Sequence, residues 1–241
     1  MTTHIALLDK LAAWYVSTLP SATYPTQRVL QTIHRQLLTV GPVALDDLIN
    51  NETSKGVAVA HDLEGWVLFG SDGRIDSGYE MTLRPTGHRL SIDDNSAFAF
   101  CPWDAIFLPL LLGEVVTLTT ACPVSGHHIS MAVSPSGIRS LAPRDSVMSF
   151  VMPSGMSTVG QTGTALEPRR RKEESIRQLC RAIHLFARPN YAKEWGSDQS
   201  EFFVLSIEEA VALAARVHRQ VFAQLMTPKG PEMCRTRQKM A

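Results

Sequence analysis

Hydrophobic positions divide this chain into a helical first part and a strand-rich second part. Apolar residues repeat at helical spacing through the first part, which predicts helices over residues 5–19, 26–41, 45–49 and 54–63. The spacing then changes, and residues 66–69 and 78–83 are predicted to be two strands joined by a turn at Ser71-Asp72-Gly73. Residues 1–82 are therefore predicted to form one helical domain closed by a β-hairpin.

The order of helices followed by a hairpin resembles a winged helix, which raises the question of DNA binding. The helix that would face DNA, Ser54–Leu63, offers only Lys55 and His61 as potential cations. Contacts to phosphates supply much of the affinity of proteins for DNA, and this helix provides few. A packing role for the domain is therefore favoured over a metal-responsive regulator, and no nucleic-acid partner is expected.

The second part of the chain, residues 83–227, is predicted to be a mixed-strand domain with flanking helices, so the fold class is α+β. Apolar runs predict a strand and turn over residues 89–94 and strands over residues 115–121, 129–133, 147–151 and 182–187. A last helix is predicted over residues 206–226, with Ser206 and Glu209 as its capping box. Before it, Gly155–Lys172 is predicted to be a mobile surface loop that ends in a basic run.

Composition is that of an ordinary globular protein. Hydrophobic residues make up 44% of the chain and the formal net charge is +0, so no basic excess points to nucleic acid. The longest apolar run, Ile106–Leu112, contains Pro109 and is too short to cross a bilayer. The first residues do not resemble a signal peptide. We expect a cytoplasmic protein without membrane association, with a basic, disordered tail over residues 228–241.

The stretch that concentrates candidate chemistry is Phe98–Gly113, an apolar segment containing Cys101 and Asp104. It is predicted to be a short buried helix with Cys101 at or next to the N-cap, Pro102 at the first helical position and Gly113 past the end. Residues three apart share a helix face, so the thiol and the carboxyl should point the same way. A thiol at a helix N-terminus is expected to have a pKa lowered towards the thiolate.

Cysteines in apolar runs are usually packed core side chains, and this alternative stays open for Cys101. The argument for chemistry is Asp104, because a carboxyl group in so apolar a segment needs a partner or a function. Burial would raise its pKa and let it carry a proton near neutral pH. The four cysteines, Cys101, Cys122, Cys180 and Cys234, lack the paired spacing of zinc sites and are predicted to be reduced thiols.

A longer series of motifs surrounds these residues. In order along the chain they are Gly78-Tyr-Glu-Met-Thr-Leu-Arg84, Ile92-Asp-Asp94, Cys101-x-x-Asp104-x-x-Phe107-x-Pro109, Cys122, Val133-Ser-Pro-Ser136 and Cys180-x-x-x-His184-x-Phe186-Ala187. This series resembles the organomercurial (alkylmercury) lyase family over roughly residues 75–225. One departure is Arg181, which stands where some members of the family have a second cysteine.

The resemblance implies proton-assisted cleavage of a carbon–mercury bond, which gives a hydrocarbon and Hg(II). Mercury is a soft metal that prefers thiolates. Carried over by position, Cys101 and Cys180 would be the two thiolates, Asp104 the proton carrier, and all three would hold the Hg(II) product. No organic cofactor or resident metal is expected. The expected partners are an organomercurial substrate, small thiols and a mercuric reductase that receives Hg(II).

The main alternative is a non-catalytic carrier that traps Hg(II) or Cu(I) with the same two thiols. Asp104 distinguishes the two functions, because a carrier has no use for a buried proton donor.

Overall fold

The computed structural model describes residues 2–18, 24–51, 63, 66–151, 180–181, 183–198 and 202–222, and these form a mixed α+β fold. The helices are α1 (Thr2–Thr18), α2 (Tyr24–Thr39), α3 (Leu45–Asn51), α4 (Asp104–Leu112), α5 (Pro189–Trp195) and α6 (Ile207–Phe222). The strands are β1 (Val67–Phe69), β2 (Ile75–Gly78), β3 (Arg89–Ile92), β4 (Asn95–Phe98), β5 (Val116–Ala121), β6 (His128–Ser134), β7 (Gly137–Ala142), β8 (Val147–Val151), β9 (Leu185–Phe186) and β10 (Phe202–Ser206). The α+β prediction is confirmed.

The strands form three antiparallel sheets. The largest has the order β4-β3-β5-β6-β7, a second has the order β10-β8-β9, and β1 pairs with β2. Side chains of β5 alternate between buried and half-buried positions, as expected for a sheet with one covered face. That face is covered by α4, which packs against β5, β6 and α6, while α1 packs against α6. The shared core thus joins the N-terminal helices to the sheet.

The N-terminal region partly matches its prediction. Helices α1, α2 and α3 are present, and a hairpin follows them. The second hairpin strand is Ile75–Gly78, so the predicted strand at 78–83 is wrong. The reason is that Gly78 donates a backbone hydrogen bond to Met81 over 2.8 Å, which turns the chain there. The predicted helix Ser54–Leu63 lies outside the described residues apart from Leu63, so the winged-helix interpretation stays a prediction.

Four elements were not expected from the hydrophobic pattern: β4, β7, α5 and β10. Strand β4 follows Ile92 through a two-residue turn in which Asp93 has φ of 49°, so the segment predicted as strand and turn continues into a hairpin. Strand β7 is mostly exposed or half-buried, and therefore lacks the alternation that identifies a strand. The predicted capping box is confirmed, since Ser206 N donates to Glu209 Oε2 and Glu209 N donates to Ser206 Oγ. The Gly155–Lys172 loop and the tail at 228–241 lie outside the described residues.

Helix α2 holds the C-terminal end of α4. The last carbonyl groups of a helix have no partner within the helix. Gln31 Nε2 donates to Leu111 O over 2.6 Å, and Arg35 Nη2 donates to Leu112 O over 2.9 Å. Gly113 ends the helix with φ of 81°, as predicted from its position. These contacts fix α4 against the N-terminal helices.

His88, which precedes β3 and contacts Thr120 of β5, supplies a test of the packing of the large sheet. Burial, together with the nearby charge of His184, lowers the pKa of His88 to about 4, and its Nδ1 lies 2.8 Å from Thr120 Oγ1. The folded state therefore favours neutral His88, whose stabilising effect is complete above the unfolded pKa of about 6.5. That effect is lost as the pH falls towards 4. We expect thermal unfolding of His88→Gln to show a shallower loss of Tm than the wild type between pH 6.5 and pH 4.

The exposed His128 provides the matched control, and His128→Gln should show the wild-type slope. Parallel curves for His88→Gln and the wild type would contradict the account of His88.

Candidate active site

Three residues from two distant segments meet in the core. One ligand atom from each of Cys101, Asp104 and Cys180 lies within 4.8 Å of the other two. Cys101 is 1% exposed and Asp104 is 2% exposed, whereas Cys180 is half-buried. Among the described residues this is the only group of three or more histidine, cysteine or acidic side chains close enough to hold one ion. The structure therefore brings together all three residues predicted for the site.

Asp104 is fixed by the start of α4. The helix begins at Asp104, and the preceding residue, Trp103, gives no side-chain cap. The Asp104 carboxylate instead turns back, and its Oδ2 accepts hydrogen bonds from the backbone N–H groups of Phe100 and Cys101, each over 2.9 Å. One oxygen of the carboxyl group is thus held by two backbone donors. The predictions that Cys101 lies at or next to the N-cap and that Pro102 is the first helical residue are wrong, because the helix begins at Asp104 and both residues lie in the turn before it.

Burial raises the pKa of Asp104 well above its usual value, and the charge of Cys180 adds to this effect. The hydrogen bond from the Cys101 N–H opposes it, because that bond stabilises the carboxylate. Loss of hydration outweighs the backbone donors, and the neutral acid persists to higher pH than in an exposed aspartic acid. This confirms the expected direction for a carboxyl group in an apolar pocket.

The pKa of Cys101 is also raised, which contradicts the prediction of a lowered value. Burial is the largest cause, followed by a hydrogen bond with Cys180 and by the negative charges of Asp104 and Cys180. A hydrogen bond from the Trp103 N–H lowers the pKa but does not compensate. The helix dipole does not lower the pKa of Cys101 as expected, because Cys101 precedes the helix and lies in a pocket nearly closed to water. The resting Cys101 is therefore a neutral thiol.

Cys180 reaches the cluster because the chain after it is tied to β8. His184 N donates to Ser149 Oγ over 3.0 Å, and Ser149 N donates to His184 O over 2.9 Å. The neighbouring Phe150 packs edge-on against Trp103, with ring centroids 5.1 Å apart. Strand β8 thus holds the Cys180 segment next to the Cys101–Asp104 turn.

Two tyrosines beside the cluster were missed by sequence reasoning. Tyr15 of α1 and Tyr79, which follows β2, are 3% and 6% exposed, and their hydroxyls are hydrogen bonded to each other. Burial is the main cause that raises the pKa of both, and the charge of Asp104 contributes to each. Tyr79 lies within the Gly78–Arg84 motif and could have been found there, whereas nothing in the local sequence marks Tyr15.

The residues of the cluster are suited to soft-metal binding and to proton donation. Thiolates are ligands for soft metals, and a neutral carboxylic acid is a proton donor. A metal bonded to two thiolates at about 2.3 Å each spans at most about 4.6 Å between sulfurs. The two sulfurs of Cys101 and Cys180 lie within 4.8 Å of each other, which is close to this span, and the cluster has the size needed to hold one ion. Cys122 does not join this cluster, and Cys234 lies outside the described residues.

Comparison with known proteins agrees with this chemistry. The family model of the alkylmercury lyases, MerB, matches residues 81–219, more than half of the chain. The chain belongs to the alkylmercury lyase family. It is 30% identical over 176 residues to an alkylmercury lyase of Staphylococcus epidermidis, covering 71% of this chain and 73% of that protein. It is 25% identical over 199 residues to an alkylmercury lyase of Pseudomonas putida, covering 81% of this chain and 86% of that one.

A solved structure shows the same fold. The crystal structure of the mercury-bound form of MerB2 aligns with a TM-score of 0.66, at 17% sequence identity, over 88% of this chain and 98% of that chain. The family resemblance predicted from the sequence is confirmed, and the protein is an enzyme of the alkylmercury lyase type. No described helix combines the length and the apolar character needed to span a membrane.

Asp104→Asn tests the raised pKa directly. The amide oxygen of asparagine can still accept the two backbone hydrogen bonds, but the side chain cannot titrate. In the wild type, the stabilising effect of the raised pKa is complete below the unfolded value of about 3.9 and is lost as the pH rises through the folded value. We therefore expect the Tm of Asp104→Asn, relative to the wild type, to increase as the pH rises above 4.

Asp94→Asn replaces an exposed carboxyl group in the same way and is the control, with a Tm difference that stays constant. A constant difference for Asp104→Asn as well would show that its pKa is not raised.

Proposed function

We propose that Cys101 and Cys180 bind the mercury of an organomercurial, while Asp104 delivers the proton that releases the organic group. The observation that carries this proposal is the meeting of two sulfurs and one neutral carboxyl group within 4.8 Å in a pocket nearly closed to water. The family supports the reaction type. The hydrogen bonds that hold Asp104 Oδ2 support the choice of Oδ1 as the proton-bearing atom.

The reaction balances without an external oxidant or reductant. The substrate enters as R–Hg–SR′, and one protein thiol replaces SR′, so that its proton leaves with the released R′SH. The second thiol then bonds to mercury as the carbon–mercury bond breaks, and the electron pair of that bond stays with carbon. Asp104 gives its proton to this carbon and receives the proton of the second thiol. Mercury remains Hg(II), bound by both sulfurs, and Asp104 ends as it began.

The two thiols differ in their depth of burial and therefore have different roles in the reaction. Cys180 is half-buried and Cys101 is 1% exposed, so Cys180 meets the incoming substrate first. Cys101 is the second thiol, and its position three residues before Asp104 places its proton beside the carboxyl group. A neutral Asp104 also limits the charge of the site, because mercury bonded to two thiolates and one carbon already carries one negative charge.

The proposed partners follow from the chemistry. Small thiols deliver the substrate as R–Hg–SR′ and remove Hg(II) from the two cysteines, and a mercuric reductase receives the metal. The reaction needs no organic cofactor and no resident metal, since every proton and bond is supplied by the substrate, the thiols and Asp104. We place the enzyme in the cytoplasm, where free thiols stay reduced. We retain residues 1–82 as a winged-helix-like packing domain and residues 83–227 as the catalytic domain.

Methane release from methylmercury, with a small thiol in excess, tests the proposal. The wild type should release methane continuously. Cys101→Ala and Cys180→Ala should each lower the rate by at least about 100-fold, because each removes one of the two sulfurs needed on mercury. Asp104→Asn should lower it by about 10²–10⁴-fold, the usual contribution of a general acid.

Cys122→Ala is the control, since it removes a buried thiol that lies outside the cluster, and its rate should match the wild type. Full activity in Cys101→Ala or Cys180→Ala would contradict the assignment. If the wild type binds Hg(II) with loss of two thiols but releases no methane, the protein is a soft-metal carrier.

A further inference from the structure

Helix α2 presents a buried histidine to the segment that leads into the site. His34 is 0% exposed, and its Nε2 lies 3.3 Å from Oε2 of Glu80, which is 1% exposed. His34 Nδ1 lies 2.6 Å from Leu30 O, and because a carbonyl oxygen only accepts, Nδ1 donates this hydrogen bond. The imidazole is therefore oriented, with Nδ1 towards its own helix and Nε2 towards Glu80.

Stability alone does not account for the pair formed by His34 and Glu80. Within the described residues, neither His34 Nε2 nor either carboxyl oxygen of Glu80 forms a hydrogen bond, so the 3.3 Å contact is poorly supported by other donors. Apolar side chains of the same volume are often as stabilising as a buried pair of this kind, and such pairs can instead fix one arrangement of the chain. We therefore ask what the pair holds in place.

A glycine lets the histidine reach the turn that contains Glu80. A Cβ at Gly78 would overlap the His34 ring at Nε2 and at Cε1. Gly78 ends β2, and its N–H donates to Met81 O over 2.8 Å, which closes the turn. The φ of Gly78 is not positive, so its backbone conformation does not require glycine. The close approach of the imidazole is the reason that a side chain does not fit there.

The turn is hydrogen bonded to the strand that leads into Cys101. Ser77 Oγ lies 2.7 Å from Thr82 Oγ1, which joins the two arms of the turn. Thr82 and Phe98 exchange two backbone hydrogen bonds, of 2.8 and 2.9 Å. Phe98 is the last residue of β4 and lies three residues before Cys101. A displacement of the turn would therefore displace the start of the site.

The end of β4 also leads to the proposed proton donor. The N–H groups of Phe100 and Cys101 each donate to Asp104 Oδ2 over 2.9 Å. Cys101 and Asp104 are therefore tied to the end of β4, whereas Cys180 comes from a distant part of the chain. The turn thus determines where one thiol and the carboxyl group lie relative to the other thiol.

The same face of α2 holds the other end of α4. Gln31 and Arg35, which share a helix face with His34, donate to Leu111 O and Leu112 O. Helix α2 also packs against β2 and β4. The chain before α4 and the last residues of α4 are thus attached to one helix, which makes α2 the support on which the site is placed.

We propose that His34 is a positioning residue of the lyase reaction, acting through the turn that contains Gly78 and Glu80. By fixing this turn, His34 holds the second thiol and the proton donor where the second sulfur–mercury bond and the transfer of the proton to carbon require them. It transfers no proton itself. This inference rests on the proposed function, and it gives the N-terminal helices a part in catalysis.

Methane release from methylmercury, measured as kcat and KM, tests the inference. His34→Ala should lower kcat by about 10- to 100-fold, because misplacing reacting groups by about 1 Å can have an effect of this size. KM should stay at the wild-type value, since Cys180 meets the substrate first, and Hg(II) should still titrate two thiols. Gly78→Ala should lower kcat in the same way, because its Cβ would push the turn away from the ring without removing a polar group.

The double variant shows whether the two residues act through one contact. In Gly78→Ala/His34→Ala the ring that the Cβ would overlap is absent, so this variant should be no slower than His34→Ala. Decreases that multiply in the double variant would overturn the inference. Gly87→Ala is the matched control, since a Cβ there meets nothing within 4 Å, and it should keep the wild-type kcat.

Glu80→Gln separates position from charge. The amide N–H of glutamine can donate to His34 Nε2 while Nδ1 still donates to Leu30 O, so the contact survives without the carboxylate. The kcat of Glu80→Gln should therefore stay close to the wild-type value. A kcat as low as that of His34→Ala would overturn the inference, because the charge of Glu80 would then be the property that matters.

The remaining outcomes also decide the matter. A wild-type kcat in His34→Ala would overturn the inference, and so would a lower kcat accompanied by a higher KM and fewer titrated thiols, which would mark His34 as structural. If His34→Ala does not fold, Gly78→Ala must still lower kcat and Glu80→Gln must still preserve it. Methane from the wild type beside an unchanged His34→Ala rejects only the role of His34; no methane from the wild type rejects the proposed function and this inference with it.

Discussion

The protonation state of this site depends on the burial of one carboxyl group. Asp104 is 2% exposed, and the charges of Cys180 and Glu80 act on it, so ionisation is disfavoured by lost hydration and by like charge. Two backbone N–H groups hold one of its oxygens in place. The same pocket keeps Cys101 neutral. In the proposed reaction these protons are released later, from Asp104 to carbon and from Cys101 to Asp104.

Maintaining such a pocket requires packing from the whole described chain. Helix α4 is closed at one end by the Asp104 side chain and at the other by donors from α2. Strand β8 packs Phe150 against Trp103, and α1 packs Tyr15 against the same indole. The N-terminal helices are therefore part of the wall that excludes water from the site. This explains why Cys101 and Asp104 occupy so apolar a region of the sequence.

The local sequence was sufficient to predict the structural features that depend only on neighbouring residues. The spacing of Cys101 and Asp104 placed both on one side of a turn, and alternating residues located β5. Long-range effects were not accessible in this way. The thiol pKa of Cys101 was predicted in the wrong direction because its burial depends on elements distant in sequence. Likewise, Tyr15 resembles any core residue of an amphipathic helix until α1 is packed against Trp103. The meeting of Cys180 with Cys101 was available only through the family resemblance.

The most direct test of the account is the mass of the intact protein after one turnover with methylmercury, without added thiol. In the wild type the bound species should be bare mercury, with both thiols lost. In Asp104→Asn the thiols are unchanged but the proton donor is gone, so the protein should carry mercury with its methyl group still attached. Bare mercury on Asp104→Asn would show that another group protonates the carbon, and would contradict the central role given to the buried carboxyl group.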